Sequence, residues 1–144
     1  MFYQDIKNRA IHIVLPILIF VSALIINYYS SHLVLKGILL NVAFITINIV
    51  GLVVYFSIKN RAAINPIDKS IGLGDIVFFL AITPLFGLQS FILFFISGLI
   101  FSLLFQTIYN LFKKTETIPL AGYLSLFLIA NVFAKTFFKI NLLF

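Results

Sequence analysis

The sequence contains no cysteine and no tryptophan, and only 10% of its 144 residues are charged. Without cysteine, the chain can form no disulfide, no thiolate zinc site and no cysteine nucleophile. The two histidines, His12 and His32, have no metal-ligand spacing around them. We therefore predict neither a metal site nor a cofactor.

Acidic residues are also scarce: the chain has 4, against 10 lysines and arginines, which gives a net charge of +6. In a soluble protein this excess would raise nucleic acid as a partner. Here the basic residues are few and lie between apolar runs, which is the distribution found in the loops of membrane proteins. We expect a lipid bilayer around the protein and no nucleic-acid partner.

Apolar residues are abundant, at 62% of the chain. Long apolar runs with few charges are read as membrane spans. The residues 1–144 are therefore predicted to form a single all-α integral membrane domain, a polytopic bundle of about five membrane segments. Pro84 and Gly87 divide a run that is too long for one span, which makes the third segment short. The predicted segments cover residues 11–26, 33–56, 75–86, 88–112 and 119–138.

The distribution of basic residues predicts an orientation. With a cytoplasmic N-terminus, seven of them lie inside and three outside, in agreement with the positive-inside rule. The same orientation places all four acids on the cytoplasmic side. The inside set is Lys7, Arg9, Lys59, Arg61, Lys69, Lys113 and Lys114, the outside set is Lys36, Lys135 and Lys139, and the acids are Asp5, Asp68, Asp75 and Glu116.

Two asparagines lie within the second apolar run. Asn41 and Asn48 are seven residues apart, which places them on one face of a helix. Polar residues inside a membrane span usually face other helices. We therefore predict that both asparagines pack between helices.

The stretch Gly72-Leu73-Gly74-Asp75 places a carboxylate at the mouth of the short third segment. An ionisable group at the edge of a bilayer is a functional hypothesis by default. The two glycines would let the backbone turn tightly and let another chain approach closely. The alternative is structural: the glycines form a loop and Asp75 is a helix N-cap.

Asp5 would lie at the same membrane face as Asp75 in the predicted topology. Two carboxylates brought close together share one proton. The ionised member can then take a proton from water while the protonated member donates to a carbonyl oxygen, which is the chemistry of an aspartyl protease. The alternative for Asp5 is a solvated residue near Lys7 and Arg9. Asp68 and Glu116 are predicted to be surface charges.

Three blocks of the sequence together resemble a known family. They are residues 5–11, which read Asp-Ile-Lys-Asn-Arg-Ala-Ile, residues 72–75, and residues 118–124, which read Ile-Pro-Leu-Ala-Gly-Tyr-Leu. Their order and spacing are similar to those of the type IV prepilin peptidases, the GxGD membrane aspartyl proteases that include the archaeal preflagellin peptidases. The chain departs from the family pattern at His12, Val77 and Gly122, where proline, lysine and proline are usual.

The resemblance implies an endopeptidase that cleaves the leader of single-span, prepilin-like precursors at the cytoplasmic face of a prokaryotic inner membrane. Asp5 and Asp75 would be the catalytic pair, and Gly72 and Gly74 would let the substrate or a helix backbone come close. Methyl transfer is not expected, since the cysteine-containing region of many bacterial members is absent. Two alternatives remain open: a non-catalytic membrane protein of the same fold that acts as a binding or assembly subunit, and a small transporter or channel.

Overall fold

The computed structural model of the chain describes residues 12, 14–31, 35–61, 72–112 and 119–138. Each regular element in these ranges is helical, which confirms the predicted all-α class. A 3-10 turn, Thr83–Leu85, directly follows the third helix. The described ranges contain five α-helices: α1 (Val14–Ser31), α2 (Leu35–Asn60), α3 (Leu73–Ile82), α4 (Leu88–Phe112) and α5 (Leu120–Phe138).

These helices belong to two compact units. One unit contains the described residues from Pro16 to Gly87, with most of α1, all of α2 and α3, and the 3-10 turn. The other contains the described residues up to Leu15 and those from Leu88 onward, with the start of α1 and all of α4 and α5. Phe78 and Ile82 are fully buried in the first unit, and Phe94 and Leu124 in the second.

Within the part of the chain that the structure describes, two helices are long and apolar enough to cross a membrane, judged by length and composition alone: α2 and residues Leu88–Leu111 of α4. Much of their apolar surface faces outward. In α2, Leu39, Ile47 and Ile58 are each at least 70% exposed. Exposed apolar area on this scale requires a lipid or protein neighbour.

The first helix differs at both ends from the sequence prediction. The segment predicted to begin at residue 11 is helical from Val14, and Pro16 lies in the first turn of α1. Proline is tolerated there because the first N–H groups of a helix have no intrahelical partner. At the other end, α1 continues through Ser30 and Ser31, beyond the predicted end at residue 26.

The second helix ends at Asn60 and is followed by Arg61, whose φ of 50° is left-handed. A left-handed residue after a helix lets its N–H reach back to a terminal carbonyl. The Arg61 N–H donates to the carbonyl of Ile58 at 3.3 Å. Nearby, the Lys59 ammonium lies 5.9 Å from the centre of the Tyr55 ring. Positive charge at this end also complements the helix dipole.

The packing of α4 against α5 depends on one glycine and a series of aromatic rings. A Cβ atom added at Gly98 would lie 2.6 Å from Cδ2 of Leu124, so the glycine lets the two helices approach closely. Ring centres are separated by 5.4 Å for Phe94–Phe127, 5.1 Å for Phe101–Phe127 and 5.7 Å for Phe105–Tyr123. These separations are typical of favourable aromatic pairs.

A polar network also joins these two helices. The Tyr123 hydroxyl donates to Oε1 of Gln106 at 3.1 Å, and Nε2 of Gln106 donates to Oδ1 of Asn110 at 2.9 Å. Tyr123 and Gln106 are both buried. Tyr123 is positioned by the start of α5, since its N–H donates to the carbonyl of Pro119, the residue just before the helix.

Candidate active site

The Gly-Leu-Gly-Asp stretch forms the start of α3. Gly72 is the N-cap, with extended dihedral angles (φ −68°, ψ 134°), and its carbonyl accepts the N–H of Asp75 at 3.0 Å. Asp75 is the third helical residue and is half-buried. The structural alternative that made Asp75 the N-cap is therefore wrong. A carboxylate in the first turn is stabilised by the positive end of the helix dipole.

Gly72 gives space to the carboxylate of Asp75. A Cβ atom at Gly72 would lie 3.1 Å from Oδ2 of Asp75, closer than an ordinary van der Waals contact. The carboxylate thus folds back over its own N-cap. Among the glycines in the described ranges, none has a positive φ. Gly72 and Gly74 are therefore not needed for a left-handed turn, and at Gly72 the missing side chain matters for the space it leaves.

Beyond Asp75, α3 has a buried face. Gly72 and Leu73 are exposed, whereas Phe78, Ile82 and Thr83 are no more than 1% exposed. The helix therefore presents its carboxylate at an accessible end while its other end lies in the core of the unit. The position of the carboxylate depends on how this buried end is held.

Proline ends the short helix. Pro84 has no N–H, so the carbonyl of Leu80 cannot receive its usual hydrogen bond from four residues on. Thr83 replaces that donor twice, because its backbone N–H and its hydroxyl both donate to the Leu80 carbonyl, the hydroxyl at 2.8 Å. In the local sequence Thr-Pro, the proline ends the helix and the threonine donates the hydrogen bonds that the Leu80 carbonyl does not receive from the proline.

Two asparagines from α1 and α2 satisfy the carbonyls that follow. Nδ2 of Asn41 donates to the carbonyls of Thr83 at 3.0 Å and Phe86 at 2.7 Å. Nδ2 of Asn27 donates to the carbonyl of Pro84 at 2.6 Å. We call Asn27 and Asn41 the asparagine clamp. The clamp supplies three side-chain hydrogen bonds to the carbonyls of this turn.

The amide orientation in the clamp is fixed by its acceptors, since a carbonyl oxygen can only accept a hydrogen bond. Within the described part of the chain, Oδ1 of Asn27 and Oδ1 of Asn41 are buried and have no hydrogen-bond partner. A buried acceptor without a partner costs about 1–3 kcal/mol. The NH₂ groups of both asparagines are therefore the groups that hold the turn.

The structure describes some of the predicted site residues and not others. Asp75, Gly72 and Gly74 lie together in the first turn of α3 and at its cap. Asp5 lies outside the described residues, so its pairing with Asp75 stays a prediction. Asp68 and Glu116 lie outside them as well.

The prediction that both asparagines of the second apolar run pack between helices holds for one of them. The prediction of interhelical packing is confirmed for Asn41, which is fully buried. It is wrong for Asn48, which is exposed and donates to the carbonyl of Phe44 in its own helix.

Sequence reasoning missed Asn27 and the role of Thr83. A usable signal was present, because a proline that ends a short apolar helix leaves carbonyls that need donors. The asparagines within the neighbouring apolar runs are the side chains best able to supply them. What could not be read is which asparagine reaches which carbonyl, because that depends on the register between runs.

Within the ranges that the structure describes, no group of three or more histidine, cysteine or acidic residues is placed to hold a metal ion. The comparisons with known proteins identify no relative: no family model, no curated protein and no solved structure matches the chain. The geometry of the site is a half-buried carboxylate at the start of a helix whose far end is held by three side-chain hydrogen bonds.

Proposed function

We propose that the chain is a polytopic integral membrane protein whose five helices all lie in a bilayer. The support is the exposed apolar surface of α2 and α4, together with the apolar character of the three shorter helices. We further propose that it resides in the inner membrane of a prokaryote with its N-terminus in the cytoplasm. The excess of basic residues in the loops on that side supports this orientation.

The short third helix supports the membrane proposal in a second way. Its ten residues extend over about 15 Å, half of a hydrocarbon core of about 30 Å. It would end inside the bilayer, where water cannot satisfy free carbonyls. Thr83 and the asparagine clamp provide the donors that such an ending needs.

Within this membrane setting, we propose that the protein is an aspartyl endopeptidase that removes the leader of prepilin-like precursors. Asp75 and Asp5 would form the dyad: the ionised carboxylate accepts a proton from the attacking water and the protonated one donates to the scissile carbonyl. The substrate would be a single-span precursor cut beside its apolar segment. The three sequence blocks described above support this activity.

One observation carries the proposal: Asp75 is half-buried in the first turn of a short helix, beside an N-cap glycine that leaves room for its carboxylate. A carboxylate that served only as a surface charge would need neither the glycine nor the buried support at the other end of the helix. A proteolytic carboxylate needs both a fixed position and an open approach.

The test is cleavage of a single-span precursor with a short basic leader, by the purified chain in liposomes. Asp75→Asn and Asp5→Asn should each lower the cleavage rate by at least about 10²-fold, the contribution typical of a general acid or base. Asp68→Asn is the matched control, because it removes an acid that is predicted to be a surface charge, and it should cleave at the wild-type rate.

Cleavage by Asp75→Asn at the wild-type rate would show that the dyad is wrong. If the folded wild-type chain cleaves no such precursor, the non-catalytic alternative becomes the better description. Binding of the same precursor without cleavage would then be the measurement that supports a binding or assembly subunit.

A further inference from the structure

We propose that the asparagine clamp is a positioning device for Asp75: by holding the turn that ends α3, it fixes the rotation and depth of the carboxylate that begins α3. The catalytic meaning of this role rests on the proposed function, whereas the mechanical role does not. Asn27 and Asn41 are therefore positioning residues and have no contact with the reacting atoms.

The first step of the argument is the placement of the bonds. All three clamp bonds reach the segment Thr83–Phe86, directly after the last turn of α3. They come from two different helices, α1 and α2, so they fix the turn against both. Asn41 bonds carbonyls on both sides of Pro84, which opposes rotation of the turn as well as its translation.

The second step is the rigidity of the segment between the clamp and the carboxylate. From Thr83 back to Asp75 the chain is one uninterrupted helix, so the two are separated by about 12 Å along its axis. A slip of the helix by one residue would rotate its faces by about 100°. Holding the turn in one position therefore holds Asp75 on one face.

The third step is the contrast with Asn48. It is the same residue type, on the same helix and the same face as Asn41, but it is exposed and bonded only within α2. The side-chain amide of Asn48 hydrogen-bonds within its own helix and does not hold α3 in position. Asn48 therefore offers a matched control for the loss of an asparagine from α2.

The absence of cysteine allows a direct measurement, because Asp75→Cys places a single thiol at the start of α3. The experiment compares the rates at which a water-soluble maleimide alkylates this thiol in liposomes, in three backgrounds: no further change, Asn41→Leu and Asn48→Leu. Since Asp75→Cys is expected to be inactive, the readout does not depend on protease activity. Circular dichroism of each purified variant checks that the helices are retained.

We expect Asn41→Leu to raise the alkylation rate roughly tenfold, because a helix without its clamp opens more often. Asn48→Leu should leave the rate unchanged. If Asn41→Leu is not recovered as a folded protein, Asn27→Leu is measured instead, since Asn27 is only partly buried and makes one bond. Equal rates in the clamp variant and the Asn48→Leu control would overturn the proposal.

A parallel cleavage assay with Asp75 restored separates the two proposals. Asn41→Leu should lower kcat and leave KM unchanged, because it displaces the carboxylate without touching the surface that binds substrate. Changed alkylation together with an active Asp75→Asn enzyme would preserve the clamp and exclude the dyad. Unchanged alkylation together with an inactive Asp75→Asn enzyme would preserve the dyad and exclude the clamp.

Discussion

The close approach of α4 and α5 at Gly98 makes a quantitative prediction about stability. A Cβ atom at this position would lie 2.6 Å from Cδ2 of Leu124 and 3.6 Å from Cδ1 of Phe127. Leu124 is fully buried, so its methyl group cannot swing into open space. We expect Gly98→Ala to be destabilising even though alanine is the better helix former.

The expected change in unfolding free energy is the balance of two opposing contributions. Overpacking a well-packed core costs about 1–3 kcal/mol. Replacing glycine by alanine inside a helix contributes about 1 kcal/mol in the opposite direction. Gly51→Ala in α2 gains the same propensity without the clash, because nothing lies within 4 Å of its added Cβ. The difference in unfolding free energy between the two variants therefore isolates the clash, at about 1–3 kcal/mol.

The assay is reversible unfolding in mixed detergent micelles, followed by circular dichroism. The assay is repeated in a Leu124→Ala background. Because Leu124→Ala removes the clashing methyl group, Gly98→Ala should then be neutral or stabilising. Such non-additivity is expected of residues in direct contact. If Gly98→Ala stabilised the protein as much as Gly51→Ala does, the reasoning about close approach would be refuted.

Two further predictions concern the candidate site and the polar network. Gly72→Ala should lower the cleavage rate roughly tenfold, because the added Cβ, at 3.1 Å from Oδ2, displaces the Asp75 carboxylate by a fraction of an ångström. The extended N-cap dihedral angles are accessible to alanine, so circular dichroism should show the helices retained, and a wild-type cleavage rate would contradict this explanation. Tyr123→Phe should cost about 0.5–1.5 kcal/mol in unfolding free energy, because Gln106 loses a buried donor. Tyr29→Phe, at an 83% exposed position, is its control and should have no measurable effect.

Helix boundaries were predictable where the sequence carries a physical stop signal. Pro84 and Gly87 divide one long apolar run, and the structure ends the short helix and begins α4 at that point. Pro119 likewise stands just before α5. The end of α1 was missed because serine is compatible with both a last helical turn and a loop, so Ser30 and Ser31 carry no decisive signal.

The candidate site was predictable in its residues but not in its support. Asp75 and Gly72 are three positions apart in sequence, so their proximity follows from local helix geometry. The bonds from Asn27 and Asn41 to the turn join residues that are 57, 42 and 45 positions apart. Periodicity shows that Asn41 and Asn48 share a face, but it cannot show how far along that face the next helix reaches.

The origin of the clamp residues has a consequence for biogenesis. A chain is synthesised from its N-terminus, so α1 and α2 precede α3 into the membrane. Both amide donors are therefore in place before the proline-terminated helix arrives. In the proposed bilayer setting, the carbonyls of Thr83, Pro84 and Phe86 would meet the asparagine donors on entry, and the same helix inserted first would not. The order of the segments along the gene thus favours assembly of the short helix onto α1 and α2, which are already present.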